Sequence, residues 1–390
     1  MDIDILWVTS LSFNLFSMDI LILAWCIVPL VMWWGWYLTL RLHYLDRPWP
    51  DVPQRSPVPT VLWVWAIVSF VLVILVYYGI DYVLQYPYVQ WLLYGVLMIW
   101  WLALWDEMLE IRSKNMAVKW DKTKGISIIS PKIKALIQCI IVCSALVLGD
   151  VSIPEFIFWS TVIHFPPWLA YWIASIWCVW FINAVNRFDG VYGLVSGISS
   201  IGFLTLYILV SVVVMWSYDL TPAYHQILSF VAHSAWVLTL ISLISLYIEY
   251  KPLWVLRDVG TMFFGFALAY LSLLWGAKIW TMMVVLSLVL FDAVRVLWNR
   301  RLKHKNLFGW DYTHLHHRLL ANGWSRWEIR VCIWSWSIFF MILILIQGTD
   351  RLNKLIIFVL MMLIFFGVNM YLFWIKKIPD HLKLSHRKPN

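Results

Sequence analysis

Apolar segments of about twenty residues alternate along this chain with short polar stretches. Segments 18–38, 61–78 and 355–375 each approach or reach the length that crosses the hydrocarbon core of a bilayer as an α-helix. We read eleven such segments, which predict an all-α, polytopic helical bundle integral to a membrane. The predicted spans lie near residues 19–39, 60–80, 88–105, 134–149, 167–185, 192–214, 226–247, 260–275, 278–297, 331–347 and 354–376.

The composition excludes a soluble domain. Of 390 residues, 63% are hydrophobic and 13% are charged, whereas a soluble domain has about a quarter charged residues. The first 18 residues carry Asp2 and Asp4 and lack a basic run, so we expect no cleaved signal peptide. The five cysteines lie in or beside apolar segments, without the spacing of metal ligands or of a disulfide framework.

The basic residues indicate the orientation in the membrane. With eleven spans, one side of the membrane holds the loops 41–58, 106–134, 183–190, 248–258 and 298–330 and the tail 376–390. These segments contain 25 of the 29 Lys and Arg residues. Because Lys and Arg concentrate in cytoplasmic loops, we predict an outside N-terminus and a cytoplasmic C-terminus. This asymmetry also explains the net charge of +8, so we expect a lipid bilayer and no nucleic acid as the partner.

No long polar linker, low-complexity tract or internal repeat divides the chain. We therefore predict a single membrane-embedded domain over residues 1–390. The loops 106–134 and 298–330 are long enough to hold structure of their own. The 30 tryptophans fit aromatic belts at the two membrane interfaces.

Polar residues cluster at the predicted inner ends of the spans. Asp106 and Glu107 follow the third span directly, and two adjacent carboxylates favour a bound cation or a shared proton. The alternative is an ordinary helix end that meets water. Lys134 opens the fourth span after a basic stretch, and attraction to lipid headgroups explains the rest of that stretch.

A second polar segment separates the fifth and sixth spans. Asn183, Asn186 and Asp189 recur at helical spacing, so their side chains can share one face. Ionisable residues inside a membrane are costly and need partners, which favours a functional segment. Close helix packing through the glycines of the same segment is the alternative interpretation.

Two further carboxylates lie at or near the inner ends of spans. Asp258 precedes Gly260 and Thr261 at a helix start, where backbone donors beside an acid can hold a metal-bound phosphate. Helix capping explains Asp258 equally well. Asp292 and Arg295 lie three residues apart in the ninth span, a spacing typical of a buried structural ion pair.

Three histidines, His314, His316 and His317, lie within four residues beside Arg318. A structural role and a zinc site are alternatives, although the segment lacks the cysteines of most structural zinc sites. Imidazoles beside arginine suit an oxyanion such as phosphate. Carboxylates that hold Mg²⁺, together with basic groups that receive phosphate oxygens, indicate phosphoryl transfer, which requires mainly positioning and charge neutralisation.

Taken in order, these motifs resemble those of the polyprenyl-phosphate N-acetylhexosamine-1-phosphate transferases, the superfamily that includes MraY. The resemblance covers about residues 100–330 and only weakly the first hundred. The His-Leu-His-His form is closer to the WecA-like branch, which uses UDP-N-acetylglucosamine. The motifs are Asn183-Ala-Val-Asn186-x-x-Asp189-Gly190, Asp258-x-Gly260-Thr261, Asp292-Ala-Val-Arg295 and His314-Leu-His316-His317.

The resemblance implies a reaction between a lipid phosphate and a UDP-N-acetylhexosamine. Polyprenyl (undecaprenyl) phosphate attacks the sugar-linked phosphorus, which releases UMP and leaves a lipid-diphosphate sugar. The product would initiate a cell-envelope glycan such as lipopolysaccharide, at the cytoplasmic face of a bacterial inner membrane. The implied cofactor is Mg²⁺, with Mn²⁺ as an alternative, and a homodimer is one assembly that the resemblance allows.

By motif position, the resemblance also implies roles for individual residues. Asp106 would assist the lipid phosphate, and Asp189 would help to hold the nucleotide donor. The implied residues are Asp106, Glu107 and Asp189 for catalysis, Asp258 and Asn186 for the metal, and Lys134, Asn183, Asp292, His314, His316, His317 and Arg318 for substrate binding.

The chain departs from the superfamily pattern at several positions. Glu107 stands where the pattern has a second aspartate, Tyr192 replaces the second aspartate of Asp-Gly-x-Asp-Gly, and Arg257 replaces the glycine before Asp258. The first inner loop lacks the paired glycines. These departures predict unusual donor recognition.

Two other hypotheses remain open. The departures motivate a catalytically weakened relative that binds polyprenyl phosphate or scaffolds envelope assembly. A transporter is the third hypothesis, but it would place charges near the middle of spans, whereas the acids here cluster at inner helix ends.

Overall fold

A computed structural model describes most of the chain and its elements. The described residues are 18–41, 45–46, 58–59, 62–119, 130–158, 161–216, 221–250, 256–274, 279–304, 313–347 and 356–367. The helices are α1 Met18–Arg41, α2 Leu62–Gln85, α3 Pro87–Lys119, α4 Pro131–Leu148, α5 Pro167–Arg187, α6 Leu194–Trp216, α7 Pro222–Tyr250, α8 Arg257–Leu274, α9 Ile279–Val285, α10 Ser287–Leu302, α11 Leu315–Ala321, α12 Arg326–Gln347 and α13 Ile356–Gly367. The strands are β1 Leu45–Asp46, β2 Val58–Pro59, β3 Glu155–Phe158 and β4 Thr161–His164.

The prediction of a polytopic helical membrane protein is confirmed. Within the described residues, nine helices are long and apolar enough to cross a membrane, and the bent pair α9–α10 makes up to ten. The eleventh predicted span overlaps the shorter apolar helix α13. The interpretations of the first 17 residues and of the tail 376–390 lie outside the described residues.

The ninth predicted span is not one continuous helix. The chain bends by 86° between α9 and α10, so the span predicted near 278–297 corresponds to a bent pair of helices. At the start of α10, the Trp336 indole N–H of α12 donates a 2.8 Å hydrogen bond to Ser287 Oγ. A contact from α12 therefore lies at the position where the second helix begins.

Helix α3 continues well past the end predicted for the third span. We expected Asp106 and Glu107 at a helix end, but α3 runs on to Lys119. The sequence after residue 105 is rich in Glu, Met, Leu, Ala and Lys, which favour a helix even where apolar periodicity ends. The two carboxylates therefore lie on one rigid helix, in positions set by its rotation.

Helix α8 forms the centre of the bundle. Its residues from Val259 to Leu273 are all buried, as expected for a helix that is apolar on every side. It packs against α3 and α5. A Cβ atom added at Gly265 would lie 2.9 Å from the Cα of Ile182, so glycine permits the close approach of α5 to α8.

Two short antiparallel hairpins supplement the helices. Strand β1 pairs with β2 between α1 and α2, and β3 pairs with β4 between α4 and α5. The hairpin β3–β4 follows the C-terminal end of α4. It therefore lies at the opposite end of the bundle from Lys134, which lies in the first turn of that helix.

Candidate functional site

A lysine bridges two carboxylates where four helices meet. The Lys134 Nζ atom lies 2.7 Å from Asp106 Oδ2 and 2.6 Å from Asp258 Oδ2. Helices α3 and α5 run toward the end of the bundle at which α4 and α8 begin, so residues far apart in sequence converge there. Ser130 caps α4 by accepting a hydrogen bond from the Ile133 N–H, which fixes the first turn that carries Lys134.

The amide of Asn186 holds the other side of Asp258. Asn186 Nδ2 donates to Asp258 Oδ1 at 3.0 Å and to Thr261 Oγ1 at 2.8 Å. The Thr261 hydroxyl in turn donates to the Arg257 carbonyl at 3.0 Å. Although both carboxylate oxygens of Asp258 accept hydrogen bonds, its side chain stays 47% exposed, so it is oriented by neighbours and still open to a ligand.

The adjacent carboxylates Asp106 and Glu107 face different partners. Glu107 Oε1 lies 2.8 Å from Arg257 Nη1, and the Glu107 side chain is only 6% exposed. Consecutive helical residues point about 100° apart, because an α-helix has 3.6 residues per turn. The structure therefore brings Asp106 to Lys134 and Asp258, and turns Glu107 to Arg257.

Asp189 lies in the turn between α5 and α6, beside the start of α8. The Arg257 backbone N–H donates a hydrogen bond to it. Burial, and secondarily the nearby Asp258 carboxylate, raises the pKa of Asp189 to about 7. This carboxylate thus adjoins the cluster around Asp258. It follows the end of α5 at Arg187, so the prediction that it shares one helix face with Asn183 and Asn186 is wrong.

Asn183 has a different setting from Asn186. It lies about one turn earlier on α5, and its amide donates to Gln138 Oε1 at 3.0 Å and to the Val179 carbonyl at 2.7 Å. Gln138 is buried on α4. These contacts tie α5 to α4 inside the bundle, whereas Asn186 contacts the carboxylate cluster.

His316 is buried against the turn that carries Asp189. Its ring centroid lies 5.2 Å from that of Phe188 and 4.1 Å from that of His317. A Cβ atom at Gly190 would lie 2.0 Å from His316 Nε2, so only glycine leaves room for this imidazole. Neither ring nitrogen has a hydrogen-bond partner among the residues that the structure describes. Burial lowers the pKa of His316 to about 3, so the imidazole is neutral at ordinary pH.

The predicted ion pair between Asp292 and Arg295 is confirmed and extends to the histidine motif. Arg295 Nη2 lies 2.7 Å from Asp292 Oδ1, and Asp292 is fully buried. Its Oδ2 atom lies 2.8 Å from His314 Nδ1 and accepts a hydrogen bond from the Leu315 N–H at 3.0 Å. Arg295 also donates to the Thr313 carbonyl. Asp292 therefore anchors the start of α11.

His317 and Arg318 follow in α11 as half-buried side chains. They follow the buried, neutral His316 on the same helix. Because Asp292 of α10 holds this helix, their positions depend on a residue that is distant in sequence.

Several polar residues in the bundle escaped the sequence analysis. Thr261 links Asn186 to the backbone before Asp258, and Gln138 is the partner of Asn183. Glu249 is buried near the end of α7, where it accepts hydrogen bonds from Ser196 Oγ at 2.5 Å and from the Leu256 N–H at 2.9 Å. The sequence signal for Glu249 is an acid at the inner end of an apolar span, the same signal that identified Asp106.

The cluster suits a divalent cation that is bound together with a phosphate. Asp106, Glu107 and Asp258 supply three carboxylates against the two cations Lys134 and Arg257, which leaves net negative charge among these groups. Within the described residues, no group of three or more His, Cys, Asp or Glu side chains forms a complete cage for a metal ion. Mg²⁺ is usually bound by one or two carboxylates plus substrate phosphates, so the 47% exposed Asp258 carboxylate fits such a site. The side-chain amide of Asn186 presents its N–H to Asp258 here, so it would have to turn over to offer its oxygen to the same ion.

The residues of the cluster lie in the part of the chain that matches a known protein family. Residues 89–276 match the sequence model of glycosyl transferase family 4. This range contains Asp106, Lys134, Asn186 and Asp258, whereas the histidine motif lies beyond it. The match supports the resemblance drawn from the ordered motifs.

Individual relatives agree with the family match. The chain is 29% identical over 245 residues to a probable undecaprenyl-phosphate N-acetylglucosaminyl 1-phosphate transferase of Bacillus subtilis, covering 60% of this chain and 64% of the relative. It is 31% identical over 176 residues to a phospho-N-acetylmuramoyl-pentapeptide-transferase of Latilactobacillus sakei, covering 44% and 50%. The corresponding transferase of Lactiplantibacillus plantarum is 26% identical over 292 residues, covering 72% and 81%. The chain thus spans less than two thirds of the length of the first two relatives.

Proposed function

We propose that this chain, a member of the polyprenyl-phosphate hexosamine-1-phosphate transferase superfamily, transfers an N-acetylhexosamine-1-phosphate from a UDP-sugar to polyprenyl phosphate. The observation that supports this proposal most directly is the position of the Lys134 ammonium group between Asp106 and Asp258 at one end of the helix bundle. The named relatives act on undecaprenyl phosphate or transfer a phospho-N-acetylmuramoyl-pentapeptide, which supports the same substrate classes here.

In the proposed reaction, an oxygen of the lipid phosphate forms a bond to the sugar-linked phosphorus of the donor. The bond from that phosphorus to the oxygen bridging the two donor phosphates breaks, and UMP leaves with the electron pair. Asp106 accepts any proton that the lipid phosphate carries. Lys134, held against Asp106 and Asp258, neutralises charge on the reacting phosphates.

The remaining groups would hold the donor and the metal. Asp258 and the carbonyl oxygen of Asn186 are the proposed ligands of Mg²⁺ or Mn²⁺. When bound, the ion supplies charge neutralisation and polarisation of the diphosphate. His316 lies against Phe188 and Gly190, the two chain neighbours of Asp189, so this turn between α5 and α6 is the proposed place for the donor nucleotide and its phosphates.

The cytoplasmic face is the proposed location of this site. Lys and Arg concentrate in the loops at the end of the bundle that carries the cluster, and such loops are cytoplasmic in most membrane proteins. We propose a bacterial inner membrane as the location, with the product initiating a cell-envelope glycan.

The direct test is UMP release by the purified full chain in detergent. Undecaprenyl phosphate and a panel of UDP-N-acetylhexosamines are supplied with and without Mg²⁺, and we expect UMP to form with at least one donor only when Mg²⁺ is present. Asp258→Ala should abolish UMP release while it leaves the yield of membrane-inserted protein intact. The matched control is Glu155→Ala, which removes a carboxylate from the hairpin at the opposite end of the bundle.

Two outcomes would contradict the proposal. Full activity of Asp258→Ala would reject the metal assignment. No UMP with any donor, despite retained binding of undecaprenyl phosphate, would favour the lipid-binding or scaffolding hypothesis.

A further inference from the structure

Arg257 has a backbone conformation that glycine adopts more readily. Its φ angle is 49°, in the left-handed region that residues with a Cβ atom rarely occupy. Arg257 is also the position at which the superfamily pattern has a glycine. The chain has therefore kept the conformation of a glycine while carrying a large charged side chain, directly before Asp258.

The side chain of Arg257 finds its partner on another helix. Arg257 Nη1 lies 2.8 Å from Glu107 Oε1, and the two side chains are 18% and 6% exposed. Charges removed from water in this way are tolerated only when they are paired, and removing one partner is strongly destabilising. An aspartate at position 107 would be one methylene shorter, so its carboxylate would fall about 1.5 Å short of this contact.

The backbone of Arg257 contacts the groups around Asp258. Its N–H donates to Asp189, and its carbonyl accepts from the Thr261 hydroxyl at 3.0 Å. Thr261 also accepts from Asn186, which orients Asp258. A shift of residue 257 would therefore move three polar groups of the cluster together.

We infer that Glu107 and Arg257, which both depart from the superfamily pattern, depend on each other and act together as positioning residues. The side chains that they position are those of Asp258, Asn186 and Asp189. Their ion pair holds the start of α8 against α3, and its stabilisation offsets the energetic cost of the left-handed backbone conformation of Arg257. The two departures from the superfamily pattern then compensate each other. This inference rests on the proposed function, because the groups being positioned are those assigned to the transfer reaction.

A double-mutant cycle tests the coupling. The variants are Glu107→Asp, Arg257→Gly and the double variant, which together restore the superfamily pattern at both positions. Arg301→Gln is the matched control, since Arg301 is an exposed arginine near the end of α10. For each protein, kcat and KM for UMP release and the midpoint of thermal unfolding in detergent are measured.

The effect of each replacement should be much smaller when the other replacement is already present than in the wild-type protein. We expect Arg257→Gly and Glu107→Asp each to lower kcat about tenfold or more, with a smaller change in KM, and to lower the unfolding midpoint by about 5 °C. The double variant should have about the same kcat and midpoint as Arg257→Gly alone, because the shorter side chain at position 107 then has no guanidinium left to contact, and Arg301→Gln should leave both quantities unchanged. Arg257→Lys, which keeps the positive charge, should recover part of the kcat lost in Arg257→Gly.

Several outcomes would overturn the inference. Additive effects of the two substitutions on midpoint and kcat would show that the residues are not coupled. Coupling in the midpoint with no effect on kcat would make the pair merely structural. A wild-type protein that releases no UMP would reject the proposed function and with it the positioning role, whereas the midpoints would still decide whether the two side chains are coupled.

Discussion

At the scale of single residues, the cluster depends on how charges are distributed among neighbours. Lys134 contacts two carboxylates from different helices, Asp106 and Asp258, while Glu107 contacts Arg257. The sequence identified each acid as a candidate, and the structure paired each with a cation. Because helices hold both partners of each pair, little side-chain freedom would be lost in the proposed binding of a phosphate.

Removing the ammonium of Lys134 should disable the cluster. Lys134→Gln leaves Asp106 and Asp258 facing each other without the cation between them. We expect UMP release to fall at least a hundredfold and the free energy of unfolding to drop by about 2 kcal/mol, the usual size of hydrogen bonds to charged groups. The control is Lys132→Gln, an exposed lysine two residues earlier, and equal losses in both variants would contradict the bridging role.

Gly190 should tolerate no side chain. In Gly190→Ala the new Cβ atom would lie 2.0 Å from His316 Nε2, so the imidazole or the turn must move. We expect a loss of about 1–3 kcal/mol in unfolding free energy and at least a tenfold loss of UMP release. Gly367→Ala is the control, since a Cβ atom there meets no atom within 4 Å among the described residues. Unchanged activity in Gly190→Ala would show that the contact has no functional consequence.

The neutral state of His316 predicts a dependence of stability on pH. Its pKa is about 3 in the folded protein and about 6.5 in an unfolded chain. Below about pH 6.5 the unfolded imidazole binds a proton that the folded one does not, so the unfolding free energy falls as the pH falls, by up to about 1.4 kcal/mol per pH unit. Thermal unfolding midpoints at pH 7.5 and pH 5 measure this loss.

The matched variants separate His316 from the other titrating groups. In His316→Gln the midpoint should drop less between pH 7.5 and pH 5 than in the wild type. His164→Gln, which removes an exposed histidine of β4, should keep the wild-type dependence. An identical pH dependence in His316→Gln and the wild type would rule out the burial of a neutral imidazole as its cause.

At the scale of elements, helix boundaries and close helix contacts decide where the site lies. Helix α3 carries Asp106 on a continuous helix because the sequence after residue 105 still favours helix. Helix α8 brings Asp258 to α4 and α5 because it is buried on every side and closely approached by α5. The position of Asp258 therefore depends on packing far along the helix.

Gly265 is the residue that sets the distance between α5 and α8. In Gly265→Ala the new Cβ atom would lie 2.9 Å from the Cα of Ile182, which belongs to a main chain that cannot rotate away. We expect a loss of about 1–3 kcal/mol in unfolding free energy and reduced UMP release. Gly202→Ala is the matched control, because its nearest neighbour is the Leu268 side chain at 3.0 Å, which can adjust. Equal losses would show that overpacking against the main chain is not the cause.

At the scale of the whole molecule, the membrane determines the orientation of the bundle. The cluster of Asp106, Lys134 and Asp258 lies at one end, and the hairpin β3–β4 lies at the other. Nucleotide-sugars are charged and do not cross a bilayer unaided, so the proposed reaction needs the first end in the cytoplasm.

Cysteine labelling of intact cells tests this orientation. In a background without the native cysteines, Val162→Cys in β4 should react with a membrane-impermeant maleimide added from outside. His304→Cys, at an exposed position after α10, should react only after the membrane is permeabilised. The reverse pattern would invert the topology and remove the cytoplasmic site.

The sequence by itself determined the helical membrane class and the approximate positions of most spans, and it predicted that the polar motifs lie on one side. It could do so because the thickness of the hydrocarbon core fixes the length of a spanning helix, and because each crossing changes the side of the next loop. The order and spacing of motifs around Asn186 and Asp258 also sufficed for the superfamily resemblance. The roles of single residues in the reaction stay predictions.

Only the tertiary structure decided which charged groups meet. Adjacent residues such as Asp106 and Glu107 point in different directions around a helix, so their partners depend on helices that are distant in sequence. The bend between α9 and α10 could not be predicted from the sequence either, because no proline or glycine lies at the break. In the structure, α12 contacts Ser287 at the start of the second helix. Hydrophobicity sets where a chain crosses the membrane, whereas the packing of the helices sets which side chains face one another.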